Sequence, residues 1–153
     1  MRLSFLSFAL VLVALAVLEA CGDSTRVYAI NRYQKGGVYE ISQDGVTLPM
    51  SSGIQTFKVN PSTFLPFSEF KDMREGEQEM PGAYALNFSL TNAGAEKLKA
   101  LTERNLKKQI CFVVKDTVIA APIIQSTIAN GFVSLTMPDR KALDKIIDYL
   151  KSE

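Results

Sequence analysis

Apolar and polar residues alternate cleanly in the second half of the chain. From Tyr84 to Leu90 the large apolar side chains fall on one side and Ala85, Asn87 and Ser89 on the other, and this period of two predicts a half-buried β-strand. The period then lengthens. Thr91 or Asn92 can cap a helix with Ala95, Leu98 and Leu101 facing inward and Leu106 beyond them, while Glu96, Lys97, Lys99, Glu103 and Arg104 face water. Gln109 to Val114 is an almost unbroken apolar run, as expected of a central strand covered on both faces. Lys115-Asp116 turns the chain, Thr117 to Ala121 predicts another strand, and Pro122, which has no amide proton, marks an edge, a bulge or the strand's end. Asn130-Gly131 turns it again into Phe132–Met137, where Val133, Leu135 and Met137 share a face. Asp139 then caps a last helix whose Leu143, Ile146, Ile147 and Leu150 recur at helical spacing. Strand, helix, two or three strands and helix in that order predict an α+β domain, an antiparallel sheet with both helices on one face.

The stretch from Val27 to about Gly82 has a different texture. Val38–Ile41 and Val46–Leu48 flank Gln43-Asp44-Gly45, and Asp-Gly between β-prone runs predicts a hairpin, closed after its second strand by Pro49. Thr56–Val59 predicts a further strand ending at Asn60-Pro61. Three prolines between Pro61 and Gly82, with the charged run from Arg74 to Glu79, predict a long solvated excursion with room for one helical turn. Phe64, Phe67 and Phe70 recur every third residue, so on a helix they would share a face, either plugging the core or forming an apolar patch that meets a partner. Residues 27–82 are therefore expected to be a β-rich N-terminal extension, and 83–153 the α+β subdomain proper.

The pattern is different again at the start. Arg2 is followed by an apolar run from Leu3 to Leu18 broken only by Ser4 and Ser7. As a helix this run would span about 24 Å, short of the roughly 30 Å hydrocarbon core of a bilayer, which fits a signal peptide over residues 1–20 better than a permanent span. Leu18-Glu19-Ala20-Cys21 resembles the lipobox of bacterial lipoproteins, with Glu19 departing from the usual small or uncharged residue. That resemblance implies that Cys21 is the lipidated first residue of the mature chain and that residues 21–26 are a flexible tether. Gly22, where an aspartate would retain the protein at the inner membrane under the sorting rule of enteric bacteria, favours the outer membrane.

Composition narrows the chemistry. The 153 residues make one domain, and 17 basic against 16 acidic side chains give no global field for nucleic acid. There is no histidine, which removes the usual base of serine and cysteine hydrolases and the commonest zinc ligand. With Cys21 acylated, Cys111 is left without a disulfide partner, and its apolar strand makes it a buried, inert thiol. No glycine-rich phosphate loop, paired-cysteine motif or calcium loop is present, so no cofactor, metal or catalytic residue is expected. Carboxylates brought together by folding are the one enzymatic route left open.

Leu90-Thr91-Asn92-Ala93-Gly94-Ala95-Glu96-Lys97-Leu98, then Leu101 to Leu106, then Ile110 to Ile124 resemble the head subdomain of the first periplasmic domain of SecD and SecDF. Gly131, the strand over 132–137 and the helix through Leu150 supply the remaining parts, so the resemblance runs over about 84–152. It implies a ferredoxin-like α+β head that faces the periplasm, contacts exported polypeptide or an envelope protein, and has no enzyme chemistry of its own. After the leader no apolar run is long enough to cross a bilayer, so a proton-driven motor is not implied with it. The expectation is a lipid-tethered, protein-binding accessory module using an exposed sheet edge or the Phe64–Phe70 region. The alternatives are a small-ligand carrier, a structural envelope lipoprotein or an enzyme with paired carboxylates.

Overall fold

The computed structural model describes residues 26–76 and 81–151. The leader, Cys21, the tether up to Thr25 and residues 77–79 of the charged run lie outside the described residues. The elements in order are β1 (Val27–Ala29), β2 (Gly36–Pro49), β3 (Thr56–Pro66), a 3-10 turn (Phe67–Glu69), β4 (Phe70–Gly76), β5 (Tyr84–Leu90), α1 (Asn92–Arg104), β6 (Ile110–Val114), β7 (Thr117–Ala120), β8 (Phe132–Met137) and α2 (Arg140–Leu150).

The clean periodicities of the second half become the elements they predict. In β5, Leu86, Phe88 and Leu90 are buried and the residues between them are half-buried. Thr91 caps α1 by accepting the Gly94 amide, and Asp139 caps α2 by accepting that of Ala142. All four residues of the Leu143–Leu150 stripe are buried. The inward face of α1 is Gly94, Leu98, Leu101 and Thr102, whereas Leu106 lies past the helix end and is exposed. Gly94 is required by packing, since a Cβ there would come within 2.5 Å of the Glu69 carbonyl oxygen.

An α+β fold with antiparallel pairing and a β-rich N-terminal part is thus observed, but the strands divide between two sheets where one was expected. One sheet has the order β1-β4-β5-β8 and the other β3-β2-β6-β7. Each sheet mixes strands from both sides of residue 83. Every residue of β6 is buried because its two faces serve different interiors. Ile110, Phe112 and Val114 join the main core with both helices and the inner face of the first sheet, while Cys111 and Val113 meet Val59 and Val118 in a smaller cluster. Phe67, Phe70, Phe88 and Phe112 form an aromatic centre with ring centroids 5.2–6.1 Å apart. Burying a side chain of this size contributes roughly 1.5–3 kcal/mol, so this centre ties the two sheets together.

Three expectations for the first half are corrected. Asp44-Gly45 does not reverse the chain. Ile41 and Val46 both lie opposite Val59, so residues 42–45 bulge out of a strand that continues to Pro49, and the reversal comes at residues 50–55. Gly45 serves a close approach rather than a turn, since a Cβ there would lie 2.2 Å from the Val59 carbonyl oxygen. Asn60-Pro61 does not end β3 either, but sits in a matching bulge over residues 60–63, with the Asn60 side chain accepting the Ser62 amide at 2.9 Å. The excursion from Pro61 to Gly82 is largely structured: β3 runs on to Pro66, the 3-10 turn supplies the one helical turn, and β4 pairs with both β1 and β5. The opposed bulges let the end of the β2–β3 hairpin fold back, so that Met50 bridges Val118 and the Ser51 amide donates to the Val118 carbonyl at 2.9 Å.

Candidate functional site

β8 lies at the margin of the first sheet and pairs with β5 alone. The Leu90 amide donates to the Gly131 carbonyl at 3.0 Å, which marks that pair as hydrogen-bonded. Antiparallel pairing alternates bonded and non-bonded pairs, so with the register Phe88↔Val133 and Leu86↔Leu135 it is Val133 and Leu135 that bond to β5. The amides and carbonyls of Phe132, Ser134 and Thr136 therefore point away from the sheet, and of these the Phe132 amide donates to the Asn130 side chain at 3.2 Å. A strand edge is usually protected by charge or proline, and Phe132–Met137 contains neither.

Beside this edge opens a cleft of about 620 Å³. Its floor is the apolar side of the core, with Leu98, Ile110, Phe112 and Leu135, and its outer wall is the connection over residues 122–130. No charged residue lines it. Ile123 and Phe132 stand at its mouth, 52% and 58% exposed. The wall is held by α1: buried Thr102 donates its hydroxyl to the Leu98 carbonyl at 2.9 Å and accepts the Ile128 amide at 3.0 Å. At the near end the Ile124 amide donates to the Lys108 carbonyl and the Lys107 amide to the Ile124 carbonyl, at 3.0 and 2.8 Å. An apolar cleft next to unpaired backbone can take an extended chain, with main-chain bonds supplying attachment and alternate side chains entering the cleft.

The phenylalanines singled out by their spacing do not form a common surface. Phe67 and Phe70 are fully buried in the aromatic centre, on the 3-10 turn and β4. Phe64, on β3, is 36% exposed and stacks on Tyr39 with centroids 4.5 Å apart and planes 7° from parallel. A strand, a tight turn and another strand replace the single helix that would have aligned all three, so only Phe64 is left for a partner. Ile123, Phe132 and Ser134, which shape the cleft and edge, are not marked by periodicity. The uncharged, proline-free composition of β8 was their one available signal.

Charged groups elsewhere serve the scaffold. Glu69 receives the Lys97 ammonium and, at 2.9 Å, the Thr91 hydroxyl, and these two partners hold its carboxyl below the ordinary range. Glu75 is likewise held low, first by the Arg140 guanidinium at 2.7 Å and then by the Tyr28 hydroxyl. Each carboxylate thus pairs with a cation rather than with the other. Burial pushes the Cys111 thiol up to about 11, and no base adjoins it in the strand. Among the described residues no three metal-ligating side chains converge.

Residues 46–142 match the family model described as SecDF, P1 head subdomain. The match takes in β3, β4 and the end of β2 as well as the elements from β5 to β8 and the first residues of α2. The protein translocase subunit SecD of Aquifex aeolicus (strain VF5) is 30% identical over 91 residues, which is 60% of this chain and 18% of that protein. SecD of Syntrophobacter fumaroxidans (strain DSM 10017 / MPOB) is 39% identical over 65 residues, 41% of this chain and 12% of that one. The chain therefore spans less than a fifth of the length of these relatives. Among solved structures, SecDF in a super-membrane-facing form superposes with a TM-score of 0.52 at 18% identity, covering 69% of this chain and 17% of the other. A structure of SecDF, described as a membrane component that enhances protein export, gives 0.51 at 17% identity, covering 74% and 60%. At such identities the structures speak to the fold alone. The family model covers well over half of the 153 residues, and the chain belongs to the SecDF P1 head subdomain family.

Proposed function

We propose that the protein is an accessory module of protein export that holds an extended polypeptide along β8, on the periplasmic side of the cell envelope. The observation that carries this reading is the open edge at Ser134 and Thr136 beside an uncharged apolar cleft. Membership of the SecDF P1 head family supports the export setting. The module works by binding, without a catalytic group or cofactor of its own. Removal of residues 1–20 and acylation of Cys21 tether it through residues 21–26, on the outer membrane if this organism follows the enteric sorting rule.

A photo-crosslinking amino acid at Ser134 in intact cells tests the edge. Adducts with polypeptides in transit are expected there and not from the same probe at exposed Ser62. Equal labelling at both positions, or adducts with resident folded proteins alone, would contradict the reading.

A further inference from the structure

A second groove, of about 870 Å³, runs between β7 and α2. Its floor includes Ile119, Ala142 and Ile146, and Lys115, Lys141 and Lys145 stand around it as exposed side chains. Lys141 and Lys145 have no ion-pair partner among the described residues, because the acids of α2 are engaged elsewhere. Asp144 pairs with Arg140 at 2.8 Å, Asp148 with Lys151 at 2.7 Å, and Asp139 caps the helix. The Lys115 ammonium lies 4.6 Å above the Tyr149 ring, also without a carboxylate. The groove is therefore ringed by three lysines against one lining carboxylate, Asp139, which leaves it net positive.

Two exposed apolar side chains sit on segments that adjoin it. Ile54, 88% exposed, tips the turn whose Met50, Ser51 and Ser52 close one side of the groove. Tyr33, 99% exposed, belongs to the loop whose Lys35 carbonyl accepts both the Lys115 amide at 3.0 Å and the Tyr149 hydroxyl at 3.2 Å. These are the most exposed large hydrophobic residues described. A bilayer surface would take both kinds of group at once, the apolar tips entering below the headgroups and the ammonium groups meeting the lipid phosphates.

We propose that the face formed by Ile54, Tyr33 and the lysine-ringed groove docks onto an anionic lipid bilayer. This rests neither on the polypeptide edge at β8 nor on acylation of Cys21. Anionic lipid is specified by the charge, since each lysine brought to such a surface strengthens partition roughly fivefold, so the three together contribute about 100-fold.

The chain contains no tryptophan, so an Ile54→Trp variant of the full chain reports from this one position. The expected result is a blue shift of its emission on phosphatidylcholine vesicles with roughly one-third phosphatidylglycerol, little shift on phosphatidylcholine alone, and loss of the shift in about 0.5 M salt. Adding Lys115→Gln, Lys141→Gln and Lys145→Gln is expected to weaken docking of this face, read from the emission shift at position 54, about 100-fold. An apolar leader binds bilayers of any charge, but that alone does not move the environment of residue 54. No shift on anionic vesicles, an equal shift on neutral ones, or an undiminished shift in the lysine variant overturns the proposal. So does a shift with poly-glutamate but none with vesicles, which would assign the groove to an acidic polypeptide.

Discussion

The backbone amide of Ile128 donates to the hydroxyl of Thr102, and that hydroxyl in turn donates to the Leu98 carbonyl one helical turn back. A single buried oxygen thus joins α1 to the wall of the cleft. Thr102→Val keeps the shape of the side chain but leaves the Ile128 amide without its acceptor. A loss of about 1–3 kcal/mol is expected in chemical denaturation, with faster hydrogen exchange at Ile128 than at Leu98. Equal protection of both amides in the variant would show that the wall does not depend on this contact.

The alternation of bonds along β8 is tested by proline. Ser134→Pro removes an amide that faces outward, so its cost is expected to stay near 1 kcal/mol while strand addition is lost. Val133→Pro removes an amide bonded to β5 and is expected to cost roughly 3 kcal/mol. Thermal melts of the two variants, with peptide binding measured on the first, separate them. The reverse order of stabilities would refute the assigned phase of the ladder.

Two phenylalanines six residues apart are expected to behave differently. Phe70→Ala opens the aromatic centre and should cost about 3–5 kcal/mol. Phe64→Ala loses a half-exposed stacking partner of Tyr39 and should cost about 1 kcal/mol. Urea midpoints measure both.

Glu69 sets a direction for pH dependence. Its carboxyl is held low in the fold, by Lys97 first and Thr91 second, relative to the ordinary value of 4.5. A carboxylate stabilised by folding contributes fully above that value, and the contribution fades as pH falls toward and through its lower folded value. The gap in thermal midpoint between the wild type and Glu69→Gln is therefore expected to be widest near neutrality and to narrow below about pH 4.5. A gap that stays constant down to pH 3 would remove the ion pair from the account.

Cys21 and Cys111 differ in a testable way. Acylation of Cys21 predicts labelling of the chain by a fatty-acid analogue in growing cells, abolished by Cys21→Ser. In that same variant Cys111 is the remaining thiol, buried and with its ionisation pushed up to about 11, so a maleimide is expected to react only after denaturation. Prompt reaction of the native variant would show that β6 opens.

How far the sequence could be read depends on which property is asked for. Spacing reports which face of an element is buried, and so Leu143 to Leu150, the Tyr84–Leu90 alternation and the unbroken run of β6 were all legible. It does not report which neighbour covers that face. β5 and β6 read as strands of one sheet, yet they lie in different ones, because β2 and β4 from the N-terminal part pair beside them. Asp44-Gly45 was misleading for a related reason. The dipeptide favours a tight local bend, and tertiary pairing used that bend as a bulge because Val59 has to approach Gly45 closely. Phe67 and Phe70 were legible as core candidates, but the edge at Ser134 depends on strand order, which no local pattern encodes.

The fold-back of the β2–β3 hairpin has a consequence for association between molecules. Met50 and Ser51 occupy the flank of β7, β1 is only three residues long, and β3 is interrupted by Pro61 and closed by Pro66. Each of these outermost strands is thereby a poor template for a foreign chain. The bent hairpin thus steers intermolecular strand pairing toward β8, where a client segment and a second copy of the protein would compete for Ser134 and Thr136. Occupancy by client should accordingly suppress self-association at high protein concentration.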